Sequence, residues 1–335
     1  MMTISLLIHE DVYTSSIGGV IDLLYGTNQY LQELGRPEAF RLELVGERAK
    51  NIQLDVPAQF ICYTTIDKTS HSQLVIIPGF KGDLDATLRK YREVVNWIGE
   101  MHRCGTEIAS MCVGSFFLAE AGLLDGKAAT SHWSAAGEMQ RRYPRITVQT
   151  DRIITDQDGV YTSGGGFSAL KLILYFIEKF CGRETALAVS KRFSIDIDYN
   201  SQAHFAVFSG QRQHEDEEIL KSQSYIEEHY ASDLSIEKVS GLCHTSKRNF
   251  IRRFKAATDN TPIEYLQRVR IEAAKKMLES EDCSLDEVMD RTGYVDIKTF
   301  RLVFRRLTGL SPRDYRKRYS RKAPAAPLLL NAEPK

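Results

Sequence analysis

No stretch of this 335-residue chain is apolar for long enough to cross a bilayer; one of the longest runs, Leu170–Ile177, is interrupted by Lys171. The first residues, MMTISLLIHEDVY, carry no basic segment ahead of their apolar run, so a secretory leader is not expected. Six cysteines (Cys62, Cys104, Cys112, Cys181, Cys243, Cys283) are scattered without paired spacing. That argues against a disulfide framework and a zinc site, and for a reducing, cytoplasmic setting. His204, His214, His229 and His244 are spaced too widely and irregularly for a ligand set, so neither metal nor cofactor is expected. There is no net charge either: 44 Lys and Arg face 44 Asp and Glu.

What is present is the composition of an ordinary globular protein, 43% hydrophobic and 26% charged, at a length that suggests two domains. The zero charge hides an asymmetry. Residues 1–214 hold 21 basic and 24 acidic residues, a net of −3. Residues 231–322 hold 21 basic and 13 acidic, a net of +8. A near-neutral front joined to a basic back suits a sensor fused to a binder of polyanions.

The front half alternates strands and helices. Thr3–His9, Phe40–Val45, Leu74–Ile77 and Glu107–Ser110 have the apolar pattern of strands. Helices are predicted at Ser16–Leu34, Leu84–His102, Ser115–Ala121, Ser134–Arg142, Phe167–Phe180 and Glu184–Arg192. This implies an α/β domain over 1–195, a mainly parallel sheet with helices on both faces. Residues 196–218 lose periodicity and are expected to link the halves. From 219 to 322 only helices are predicted, an all-α domain, with a disordered tail at 323–335.

Within that back half, Ser246–Lys255 (SKRNFIRRFK) holds five cations and no acid, with Phe250, Ile251 and Phe254 spaced for one buried face. The pattern recurs. LSIEKVSGLCHTSKRNFIRRF and LDEVMDRTGYVDIKTFRLVF each read as a short amphipathic helix, a tight turn and a second, cationic helix. That is a helix-turn-helix, twice. The helix between them, from Pro262, is about 18 residues and roughly 27 Å long, close to one turn of B-DNA.

These segments, together with the Gly309, Ser311, Pro312, Tyr315 and Arg316 element, resemble the AraC-family DNA-binding domain over about a hundred residues. The resemblance implies a sequence-specific, DNA-binding transcription regulator and not an enzyme. Its partners would be double-stranded DNA and, at the promoter, RNA polymerase. Carried across, it places Arg248, Ile251 and Arg252 of the first unit, and Ile297, Lys298 and Arg301 of the second, against base edges. Arginine suits guanine because its fork spans O6 and N7. Lys247, Arg253, Lys255, Arg305 and Arg306 are assigned to phosphates, where charge suffices. The four phenylalanines Phe250, Phe254, Phe300 and Phe304 are assigned to the core.

The front half carries an enzyme-like element. In Ala109–Gly114 a cysteine falls between strand and helix, where a sharp turn would expose the thiol and the helix N-terminus would lower its pKa. His132 could serve as its base, which gives a cysteine-dependent hydrolase or lyase as the alternative function. This stretch and Thr162–Gly166 (TSGGG) resemble the ThiJ/PfpI branch of the class I glutamine amidotransferase-like fold. That resemblance aligns Ser16 where an acid usually faces the cysteine, and Phe80 follows Gly79 where a second glycine is common. Cys112 and His132 are therefore read as vestigial. With Ser16, Gly79, Phe80 and Val113 they are expected to line an effector pocket, and Tyr13 and Trp133 are further candidates. The pairing of the two domains resembles the GlxA-like group of regulators. It implies that the front domain senses a small nitrogen-containing metabolite and forms homodimers.

Overall fold

In this computed structural model the described residues are 1–69, 71–197, 201–212, 214–243 and 245–320. They divide into two compact units between Ala203 and His204. The front unit runs β1 (Met2–Ile8), α1 (Thr14–Glu33), β2 (Phe40–Gly46), a hairpin of β3 (Asn51–Gln53) and β4 (Gln59–Ile61), β5 (Thr64–Thr65) and β6 (Leu74–Ile77). It continues through α2 (Leu84–Lys90), α3 (Arg92–Arg103), β7 (Glu107–Ser110), α4 (Ser115–Glu120), β8 (Ala128–Ala129), α5 (Ala136–Arg142) and β9 (Thr147–Val148). The antiparallel pair β10 (Ile154–Gln157) and β11 (Val160–Ser163), then α6 (Lys171–Cys181) and α7 (Arg183–Arg192), complete it.

Seven strands form one sheet in the order β10-β11-β7-β6-β1-β2-β5, parallel except for β10 against β11. Alternate residues of each strand enter two different cores. Leu6 and Ile76 pack with α1, α6 and α7, whereas Leu7, Val75 and Ile77 pack with α3 and α4. Burial on both faces explains why these strands are continuous apolar runs rather than alternating ones. The parallel sheet and its two helical layers are as the sequence implies.

Two local readings change. The helix expected at Leu84–His102 breaks at Tyr91, whose φ and ψ of −104° and 33° separate α2 from α3. There the Tyr91 ring lies 4.4 Å from that of His9, and its hydroxyl donates to Asp11 at 2.7 Å. These are contacts to distant residues, invisible to periodicity. The β10–β11 pair was not expected, although its turn was signalled by Asp158-Gly159. Their positive φ values of 52° and 73° suit the tight turns that such dipeptides favour.

Among its described residues the second unit has helices and no strand: α8 (Glu217–His229), α9 (Ile236–Leu242), α10 (Lys247–Thr258), α11 (Pro262–Ser280), α12 (Leu285–Arg291), α13 (Ile297–Thr308) and α14 (Pro312–Tyr319). The segment leading into it is fastened down: Lys275 Nζ donates to the Ala206 carbonyl at 2.6 Å, and Phe208 N donates to Glu272 at 3.2 Å. Much of the region read as a linker is thus ordered against α11. The tail, 323–335, lies outside the described residues.

The expected duplication holds in atomic detail, at one constant offset from Ser246 and Asp296 onward. Both residues cap the cationic helices α10 and α13, accepting from Asn249 N and Thr299 N. Phe250 and Phe254 correspond to Phe300 and Phe304, all four fully buried. Thr258 Oγ1 donates to the Phe254 carbonyl at 2.8 Å, and Thr308 Oγ1 to that of Phe304 at 2.8 Å. Both helices end in a left-handed residue, Asp259 or Gly309. A capped, proline-started helix follows each, from Thr261-Pro262 and from Ser311-Pro312. Tyr265 and Tyr315 then donate to Glu227 and Glu279. Each copy has its own core, and α11 serves both: Tyr265 joins the first cluster, while Ile271, Ala274 and Leu278 join the second.

Phe304→Ala should therefore cost about 3–5 kcal/mol, because it empties a buried ring site. The measurement is urea denaturation followed by helical ellipticity; a midpoint unchanged from the parent would contradict this core assignment.

Candidate functional site

Each of the cationic helices α10 and α13 presents its core on one side and a stripe at helical spacing on the other. In α10 the outward stripe is Arg248, Ile251, Arg252 and Lys255; in α13 it is Lys298, Arg301, Leu302 and Arg305. Arg248, Arg252, Lys298 and Arg301, four of the six residues assigned to bases, are exposed cations. Arg252 is steadied by Asn249 Oδ1, which accepts from it at 2.9 Å. Ile251 and Ile297 are half-buried against the two cores, so they have less side chain to offer a base.

The phosphate candidates also divide. Lys247, Lys255, Arg305 and Arg306 are exposed; Lys247 is paired with Glu237, and Arg306 donates to Gln267. Arg253 differs. Its Nε and Nη2 donate to the two oxygens of Asp216 at 3.0 and 2.7 Å, and the same carboxylate caps α8 by accepting from Ile219 N. That guanidinium, about a third exposed, also holds α8 on α10. Sequence alone could not show it, because Asp216 lies far from Arg253 along the chain.

In the front unit, Cys112 sits on a sharp elbow after β7, at φ 57°, a left-handed conformation unusual for a residue with a side chain. The elbow needs its glycine. A Cβ at Gly114 would lie 2.5 Å from the Pro78 carbonyl oxygen, so no other residue fits at the end of β6. Gly79 is equally close, its would-be Cβ 2.9 Å from that of Cys112. Cys112 N donates to the Gly164 carbonyl at 3.2 Å, and its own carbonyl accepts from Ser115 Oγ and Ser131 Oγ at 3.1 and 3.2 Å.

The turn does not expose the thiol. Cys112 is 7% exposed, and burial raises its pKa, opposed by the Gly166 and Val113 amides that face the sulfur. The expected lowering is thus overturned: desolvation of a thiolate outweighs the amides. His132 lies against Gly165, but Nδ1 is turned to Ser134, accepting from its amide at 3.2 Å with its hydroxyl at 2.7 Å. No hydrogen bond joins His132 to Cys112, and burial lowers its pKa. Ser16 is buried in the first turn of α1, which the Tyr13 N–Gly79 O bond of 3.2 Å fixes beside the Gly79 loop. Phe80 packs on Phe117 at 5.0 Å, in the core. Val113, His132 and Trp133 are half-buried, and Tyr13 is exposed.

One residue at this site was missed. Gln202, 1% exposed, accepts from Gly165 N at 3.4 Å and lies within donating distance of Thr130 Oγ1, the Ser131 carbonyl and the Arg152 carbonyl, at 3.1, 2.9 and 3.1 Å. It braces both segments that surround Cys112. Nothing in its local sequence marks it. No group of three or more His, Cys, Asp or Glu able to hold a metal exists among the described residues; His244 lies outside them. No helix there is long and apolar enough to cross a membrane.

A helix-turn-helix domain model matches residues 240–318, and a DJ-1/PfpI family model matches residues 24–179. The HTH-type transcriptional regulator GbdR of Pseudomonas aeruginosa is 29% identical over 229 residues, covering 67% of this chain and 61% of that protein. The chain thus spans less than two thirds of that relative's length. The HTH-type transcriptional regulator GlxA of Rhizobium meliloti is 25% identical over 223 residues, 65% of this chain and 67% of the relative. The crystal structure of an AraC family transcriptional regulator from Pseudomonas putida superposes with a TM-score of 0.50 at 17% identity, over 58% of this chain and all of that one. That likeness is one of fold. The family matches and the two folded units agree: the chain joins a DJ-1/PfpI-family domain to a helix-turn-helix domain of the AraC type.

Proposed function

We propose that this protein is a transcription regulator that binds duplex DNA sequence-specifically through α10 and α13, under control of a small metabolite sensed by the front unit. The observation that carries the reading is the duplicated helix-turn-helix with exposed cations at matching positions of both reading helices. Helix α11, 19 residues long, joins the two copies and spans about 28 Å at 1.5 Å per residue. Successive major grooves on one face of B-DNA repeat at about 34 Å. On this reading each helix enters its own groove, and the exposed cations displace counterions from the phosphates.

The proposed effector site is the Cys112 elbow, with Ser16, Gly79, Phe80, Val113 and His132 as its candidate lining. A nitrogen-containing metabolite and a homodimer are the finer parts of the proposal, resting on the group this domain pairing resembles. Catalysis is disfavoured there. The thiol is buried and its pKa raised, and its would-be base is turned to Ser134. A cytoplasmic setting and contact with RNA polymerase follow from the same reading.

Arg252→Ala should cost about 1–3 kcal/mol on the preferred duplex and relax the preference at one base pair. Lys255→Ala should weaken preferred and random duplex by the same factor. Fluorescence anisotropy at two salt concentrations measures both; an Arg252→Ala protein that discriminates as the parent does would refute the base-reading role.

Iodoacetamide at neutral pH should alkylate the exposed Cys104 well before Cys112, followed by peptide mass mapping. Faster labelling of Cys112 would reinstate an activated thiol and the enzyme reading.

A further inference from the structure

The two reading helices match residue for residue, and one pair of matched positions breaks the chemistry. Arg252 of α10 corresponds to Leu302 of α13. Leu302 is 71% exposed. It stands in the middle of the outward stripe, with Lys298 four residues before it, Arg301 beside it and Arg305 three residues after. It contributes nothing to the core of its own copy, which is built from Phe300, Val303 and Phe304. The residue that leads into the same helix, Val295, is 100% exposed. Among the described residues, the two most exposed large apolar side chains of the second unit thus lie on one reading helix and its approach.

A leucine held in water between three cations gains nothing from the folded protein. Its neighbours determine what can cover it. The surface that attracts Lys298, Arg301 and Arg305 is polyanionic, and in the major groove of duplex DNA one base-edge group is apolar: the C5-methyl of thymine. Arg252, at the equivalent position, suits guanine O6 and N7.

We propose that Leu302 reads a thymine methyl in the second half-site, at the position where Arg252 reads guanine in the first. The two copies of the motif then recognise different half-sites, so the site is asymmetric and the protein binds it in one orientation. The proposal rests on the DNA-binding reading above and specifies part of its target.

The test begins with selection from a randomised duplex pool by the full-length parent. Each thymine of the selected site is then replaced by deoxyuridine, which removes only the methyl. At one position in the second half-site this should weaken parent binding about fourfold, the factor for one methyl group returned to water. Leu302→Ala, a substitution at an exposed position, should keep the parent's Tm and be insensitive to uracil at that position. Leu302→Arg should select guanine there. A parent indifferent to uracil at every thymine overturns the proposal while leaving DNA binding intact. So does a Leu302→Ala protein that keeps full uracil sensitivity, or one whose only defect is in promoter activation, since the leucine would then face a protein. A parent that enriches no sequence overturns the DNA-binding reading, and this proposal with it.

Discussion

One helix has to satisfy two cores. The first end of α11 delivers Tyr265 to the cluster built on Phe250 and Phe254, and its later turns deliver Ile271, Ala274 and Leu278 to the cluster built on Phe300 and Phe304. Each small core depends on this shared strut, because neither copy of the motif holds enough apolar surface to close by itself. The strut is correspondingly well fixed. A capping box between Thr261 and Glu264 starts it with Pro262 at its first position, and Lys275 and Glu272 anchor the entering chain along its side. Both α10 and α13 are thus packed against that one element. On the proposed reading, in which two successive grooves are engaged at once, a rigid α11 limits the entropy lost on binding.

The front unit is organised by a different constraint, the crowding at the carboxyl ends of β6 and β7. Gly114 and Gly79 allow the two strand ends to approach to backbone contact, and Cys112 takes up the strain as a left-handed residue. The same crowding buries the sulfur. An elbow that in principle activates a thiol here desolvates it, and the two amides facing the sulfur do not recover the loss. What remains is a hydrogen-bonded cradle, braced by Ser131, Gly164–Gly166 and Gln202. Gln202 immediately precedes Ala203, the last residue of the front unit, and the Ala206 carbonyl is already held by α11. The covalent path from the cradle to the shared strut is therefore a few residues long.

Several features were legible before any coordinates, and each has a local cause. The parallel sheet followed from apolar runs alternating with helical ones, because burial on both faces leaves no polar alternation. The duplication followed from two cationic helices with phenylalanines at matching places. Ser235 and Ser284 cap their helices and Pro262 and Pro312 start theirs, and such signals are local because capping involves only a few consecutive residues. The break at Tyr91, the pairing of Arg253 with Asp216 and the role of Gln202 were not legible. Each depends on a partner distant in the chain, and no period or motif encodes such a contact.

The sequence by itself determined the two domain types, the repeat, and which helices carry the charge, because these are properties of composition and spacing. Tertiary structure alone decided the state of individual side chains. It buried Cys112, turned His132 toward Ser134, paired Arg253 with Asp216 and left Leu302 standing in water among cations. The physical reason is that charge state, accessibility and hydrogen-bond partner depend on what surrounds an atom, and those neighbours are assembled only when distant segments pack.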